Sequence, residues 1–215
     1  MDGFHGSEAG WSLDFLAGMQ LLTACERTQV GMALAERALS ACIERAETIH
    51  LHIKLDDTDR VPAGALQAAG GVLDHGKHGF VKYRMPGRVN AIFSHIAVSA
   101  DDLRECDANR KPRPFLDHIG IDVRSIDAHS RGAFDAVPGL AVSRGWAHVA
   151  QGGGGRLVRC CHTVVDSKHW LFPPAKGMRP IEVAFGPLRD GGGASGCDLR
   201  PSDPSLGLAA NACCG

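Results

Sequence analysis

The pattern of apolar positions changes period twice along the chain. Between Asp14 and Glu47, Phe15, Met19 and Leu22, then Leu34, Ala38 and Cys42 with Ala35, Leu39 and Ile43, recur at three- and four-residue spacing. That spacing predicts helix, with Gly31 dividing it in two. From Ile49 the period shortens: His50 to Leu55 alternates as a strand and enters the acidic turn Asp56-Asp57-Thr58-Asp59. A short Ala-rich helix, Val61 to Ala69, stops at Gly70-Gly71. Strands are predicted over 79–85 and 90–99, joined by a turn at Pro86-Gly87.

The same order of elements then returns. Phe115 to Val123 reads as a strand and Asp127 to Ala136 as a helix stopped by Pro138-Gly139. Strands are expected around 140–150, 156–165, 169–172 and 180–185. Two successive units of strand, helix and several strands predict an α+β fold with an internal repeat. The expected boundaries are a helical N-terminal extension over 1–48, a domain over 49–188 with modules 49–110 and 114–188, and a tail over 189–215. The tail is Gly-, Ser-, Pro- and Asp-rich, finishes Cys213-Cys214-Gly215, and is expected to be disordered in isolation. The N-terminal helices are candidates for docking or dimerisation, so a homodimer is among the expected states.

Charge narrows the function classes. A formal net charge of −1 argues against a nucleic-acid binder, which needs clustered excess Lys and Arg. No apolar run approaches membrane-span length, and MDGFHGSEAGWSLDFL lacks the basic start and apolar core of a signal peptide. The eight cysteines, with two adjacent pairs, do not read as a secreted disulfide framework, and a reducing cytoplasm is expected.

Candidate chemistry sits on the predicted strands. Each unit opens on a similar phrase, His52-Ile-Lys-Leu-Asp and His118-Ile-Gly-Ile-Asp, and closes on a strand carrying a ligand-type residue, His95 or Glu182. Imidazole and carboxylate are costly to bury unpaired inside strands, and a shared divalent metal ion removes that cost. His52, His95, His118 and Glu182 are therefore the expected ligands, with His50 the alternative to His52. Fe, Zn, Ni or Mn suits such donors. A second feature is Cys160-Cys161. Consecutive Cα atoms lie about 3.8 Å apart, too close for an unstrained disulfide, so the pair offers two soft thiol donors for a thiophilic ligand. On a regular strand the two would point to opposite faces, so joint use needs a bulge or strand end. His162 and His169 are read as exposed strand residues, with a general-base role as the alternative.

On these residues the chain resembles the vicinal oxygen chelate superfamily, which contains glyoxalase I, extradiol dioxygenases and bleomycin-resistance proteins. Phe115 to Val123 looks like a family first strand and Arg179-Pro-Ile-Glu182-Val like a family last strand. The resemblance implies paired βαβββ modules, metal ligands on first and last strands, and a small-molecule substrate. Within that superfamily the second half is similar to the C–As lyase and cadmium-induced protein group in Cys160-Cys161, Asp166, Trp170, Pro173-Pro174 with Gly177, and Glu182. This implies a nonheme Fe(II) dioxygenase or lyase in which Cys160 and Cys161 bind a thiophilic, organoarsenical-like substrate. The alternatives are a glyoxalase-like lyase or isomerase, and a non-catalytic metal(loid)- or drug-binding resistance protein.

Overall fold

A computed structural model describes residues 8–55, 60–77, 80–95, 114–154, 157–160, 163–174, 178–186 and 189–190. The residues fall into two compact units. Of the described residues, the first holds those up to Thr28 and from Leu51 to Asp117; the second holds Gln29–His50 and those from His118 to Asp190. The chain leaves the second unit after His50, inside the strand Thr48–Leu55, and re-enters it at His118, inside the strand Phe115–Val123.

In the first unit, β1 (Thr48–Leu55), α4 (Ala63–Ala68), β2 (Val72–Lys77), β3 (Phe80–Met85) and β4 (Val89–His95) form one βαβββ module. Its strand order is β2-β3-β4-β1, with both hairpin pairings antiparallel. The apolar positions of the alternation, Leu51, Ile53, Leu55, Tyr83, Met85, Ala91 and Phe93, are all buried, and so are the polar positions between them, His50, His52, Lys82, Asn90 and Ser94. β2 has no signal of this kind. Val72 and Leu73 are 53% and 47% exposed, and a register shift between Leu73 and His75 breaks the ladder. An edge strand without a buried face leaves no period to read.

In the second unit, β5 (Phe115–Val123), α5 (Ala128–Asp135), α6 (Val137–Ser143), β6 (Ala147–Gly152), β9 (Ser167–Phe172) and β10 (Ile181–Phe185) form the second βαβββ module. Its order is β5-β10-β9-β6: β10 runs parallel to β5, and β9 antiparallel to both β10 and β6. A small sheet of β7 (Val158–Cys160), β8 (Thr163–Val165) and β11 (Arg189–Asp190) lies within the same unit. The chain is thus α+β with paired βαβββ modules. Pro138-Gly139 does not end the helical stretch. Pro138 occupies the first turn of α6, where its missing N–H costs nothing, and the strand expected from 140 begins only at Ala147.

The N-terminal stretch is helical but breaks elsewhere than at Gly31. α1 is Glu8–Gly18, α2 is Ala24–Leu34 with Gly31 inside it, and α3 is Ser40–Arg45. The break follows from local chemistry. Gln20 takes a φ of 58°, and Thr23 starts α2 by a reciprocal cap: its hydroxyl accepts from Glu26 N–H at 3.1 Å while its own N–H donates to Glu26 Oε2 at 2.9 Å. Glu26 Oε1 also accepts from the Leu116 N–H at 2.8 Å, tying α2 to the start of β5. α1 docks on the Pro86-Gly87 turn, where the Ser12 hydroxyl donates to the Pro86 carbonyl at 2.8 Å. Gly87 has a φ of 74°, and a Cβ there would overlap the backbone of Ala9. Cys42 of α3 is buried, and burial pushes its thiol up to about 11, so it is packing and not a reactive thiolate. No helix among the described residues is long and apolar enough to cross a membrane. The expected tail lies outside the described residues apart from β11.

His169 is buried in the second module, not exposed as its strand position suggests. It stacks on Phe134 of α5 with centroids 4.2 Å apart, and His148 Nε2 lies 2.9 Å from its Nδ1. Burial first, then the neighbouring His148, push it from 6.5 down to about 4. The unfolded chain takes up this proton near pH 6.5 and the folded chain only near 4, so stability falls on acidification through that window. Urea unfolding is expected to show about 2 kcal/mol less stability at pH 5 than at pH 7 from this residue. His169→Leu should flatten that difference; an unchanged pH slope would refute the assignment.

Candidate metal centre

Three strands of the second unit bring side chains to one point. Alternation places His118, Gly120 and Asp122 on one face of β5. The parallel register sets Gly120 beside Glu182 of β10. His50, at the end of the β1 segment belonging to this unit, lays its ring across Gly120; a Cβ at that position would fall inside the imidazole. Asp122 Oδ2 then takes the His50 Nδ1–H at 2.9 Å and the Thr48 hydroxyl at 2.8 Å. The phrase His118-Ile-Gly-Ile-Asp therefore reads as ligand, seat and clamp along one strand face.

With Nδ1 donating to Asp122, His50 Nε2 presents its lone pair. It lies 3.3 Å from His118 Nε2 and 3.6 Å from Glu182 Oε2, and His118 Nε2 lies 3.3 Å from the same oxygen. All three residues are buried. Donor atoms about 2.1 Å from a common ion stand about 3.0 Å apart at a right angle and about 3.4 Å apart at a tetrahedral one. Two of the three separations fall in this range, and the third, 3.6 Å, is slightly wider. His50, His118 and Glu182 therefore fit a divalent metal: two neutral nitrogens and one carboxylate oxygen, facing each other out of water.

The surroundings tune the carboxylate. Burial by itself raises the Glu182 carboxyl, but the His118 and His50 rings facing it and the Lys168 charge more than offset it, holding Glu182 well below the usual carboxylate range. Lys168 of β9 is 1% exposed, with Nζ 3.1 Å from Glu182 Oε1. That contact is an ion pair without hydrogen-bond alignment, and Oε1 accepts no hydrogen bond among the described residues. Trp170, paired with Glu182 across β9 and β10, packs edge-on to His118 at 5.1 Å and lies under the Lys168 ammonium at 5.0 Å.

Of the residues singled out from the sequence, His118 and Glu182 meet here, joined by His50. His52 is in the first unit, with Nε2 2.7 Å from the Ser94 hydroxyl and Nδ1 3.8 Å from Asp117 Oδ2. His95 ends β4, and its side chain lies outside the described residues. Cys160 ends β7 opposite Thr163 of β8; its side chain, Cys161 and His162 lie outside the described residues. Asp166 does not reach this centre: its carboxylate packs against Gly186 just after β10. Sequence reading passes over Gly120, Asp122 and Lys168. The signal for the first two is in the repeated phrase: the second module has Gly where the first has Lys54, and a ring can lie only on the former.

No family model matches the chain, and no curated protein matches it. Solved structures do align. Methylmalonyl-CoA epimerase from Mycobacterium tuberculosis aligns at 16% identity and a TM-score of 0.39, over 66% of this chain and 89% of that one. Homoprotocatechuate 2,3-dioxygenase from Arthrobacter globiformis aligns at 10% identity and a TM-score of 0.42, over 67% of this chain and 38% of that one. Homoprotocatechuate 2,3-dioxygenase from Brevibacterium fuscum, in complex with 3,4-dihydroxyphenylacetate, gives 10% identity and a TM-score of 0.41, over 67% and 39%. This chain spans well under half the length of the two dioxygenases.

Replacing Gly120 with Ala tests the seat. The added methyl should evict the His50 ring and weaken divalent-metal binding about 10- to 100-fold, at a stability cost of about 1–3 kcal/mol for overpacking. Titration with Co(II) or Zn(II), beside a thermal melt, reads both. Unchanged metal affinity would show that His50 does not depend on this glycine.

Proposed function

We propose that the chain is a divalent-metal enzyme of the vicinal oxygen chelate type, with the ion held by His50, His118 and Glu182. The convergence of three buried donor atoms at 3.3–3.6 Å carries this reading. A divalent ion bound there supplies Lewis-acid polarisation of a small oxygen-bearing substrate and, as Fe(II), the means to activate O₂. The residues do the rest. Asp122 fixes the proton on His50 Nδ1 so that Nε2 stays a donor, the Thr48 hydroxyl fixes Asp122, and the apolar strands around the three ligands exclude water. Two imidazoles and one carboxylate are the donor set of nonheme Fe(II) oxygenases, which favours iron over Zn, Ni or Mn.

The finer reading is an Fe(II) dioxygenase or lyase acting on a thiophilic, organoarsenical-like substrate. Its support is the sequence pattern Cys160-Cys161, Asp166, Trp170 and Glu182, with Cys160 at a strand end, where adjacent side chains are released from strict alternation.

Metal analysis of anaerobically purified protein tests the reading. One divalent ion per chain is expected, with iron and O₂ consumption expected for the dioxygenase form. His118→Ala, Glu182→Ala and His50→Ala should each weaken metal binding at least about hundredfold, since a three-ligand site does not survive loss of one ligand. His52→Ala should leave binding in place. Full metal content in the Glu182→Ala protein would remove the proposed centre. For the thiophilic substrate, Cys160→Ser should weaken binding of a trivalent arsenical without changing metal content; equal affinity would reject thiol capture.

A further inference from the structure

Lys168 is anomalous: a fully buried ammonium directed at the outer oxygen of a carboxylate whose inner oxygen faces two imidazoles. A cation next to a cation site opposes metal binding, since like charges repel and burial weakens the screening between them. Lys168 must therefore do something other than attract the ion. Its position supplies two effects. Held at Oε1, the ammonium keeps that oxygen turned outward and leaves Oε2 alone with His50 and His118. Its charge also changes the sum at the centre. Two neutral imidazoles, the carboxylates of Glu182 and Asp122, and a divalent ion add to zero; the ammonium makes the whole positive.

Resting on the metal reading above, we propose that Lys168 is a positioning residue that restricts Glu182 to single-oxygen coordination and keeps the loaded centre cationic, so that its open coordination position takes an anionic ligand. Glu182 without Lys168 is free to bring both oxygens to the ion, which fills that position and neutralises the charge. The Trp170 ring beneath the ammonium holds Lys168 in place and touches His118, so the same face of β9 braces both the carboxylate and a ligand imidazole.

Co(II)-loaded protein provides the test, with azide as anionic probe and imidazole as neutral probe, both followed by visible absorption. In Lys168→Met, the second Glu182 oxygen competes with both probes and the lost charge acts on azide alone, so azide affinity should fall at least about tenfold further than imidazole affinity while Co(II) affinity holds or tightens. A purely structural lysine gives a different result: the melting temperature and Co(II) affinity fall together, and azide binding per loaded site is unchanged. That result overturns the proposal, as does an equal loss for both probes. If the Met variant does not fold, Lys168→Gln serves the same comparison. X-ray absorption of wild-type Co(II) protein needs no variant, and both Glu182 oxygens on the ion would overturn the proposal. Failure of the wild type to bind Co(II) instead removes the metal centre itself.

Discussion

The His50 imidazole can stand beside His118 and Glu182 only because β5 offers no side chain at Gly120 and an acceptor at Asp122. These two positions lie two residues apart on one strand face, and each removes a different freedom. The bare backbone sets how deeply the ring sinks, and the carboxylate sets which edge turns inward. Since β10 runs parallel to β5 with Glu182 opposite Gly120, the same register that seats the ring also delivers the carboxylate. A one-residue slip of β10 would send Glu182 to the opposite face and leave a buried imidazole pair without an anion.

Much of this is legible in the sequence. Alternation yields β5 and β10 almost to the residue and puts His118 and Glu182 on strands, because strands buried on one or both faces carry strong apolar patterns. The choice between His50 and His52 is not legible, because both occupy one face of β1 and a period of two cannot separate them. What separates them is which neighbour each finds: Gly120 and Asp122 for His50, the Ser94 hydroxyl for His52. Elsewhere the misses are of local chemistry. The Thr23 and Glu26 capping box starts a helix upstream of the glycine expected to divide one, and Pro138 opens α6 where its residue type suggests a stop. Lys168 is invisible in the sequence because an isolated lysine in a strand ordinarily marks a solvent face.

The two modules repeat a motif and fill it differently. Each sets a first-strand histidine against a last-strand polar group: His52 against Ser94 at 2.7 Å, and His118 against Glu182 at 3.3 Å. The first pair is joined by a hydrogen bond to a neutral hydroxyl. The second concentrates negative charge and lone pairs in a buried space, which a proton or metal ion must share. The same arrangement thus carries a neutral hydroxyl partner in the first module and a carboxylate partner in the second.

The chain's path adds a consequence for folding. His50 is the last residue before the chain departs into the first unit, and His118 is the first after its return. An ion gripping both would pin the two ends of that entire excursion, as a crosslink does. Closing a loop of several tens of residues in the unfolded chain is worth about 4 kcal/mol when supplied by a covalent bridge. A coordinate bond between the same points would tie assembly of the first module to capture of the metal, making the ion a fastener of the backbone as well as a reagent.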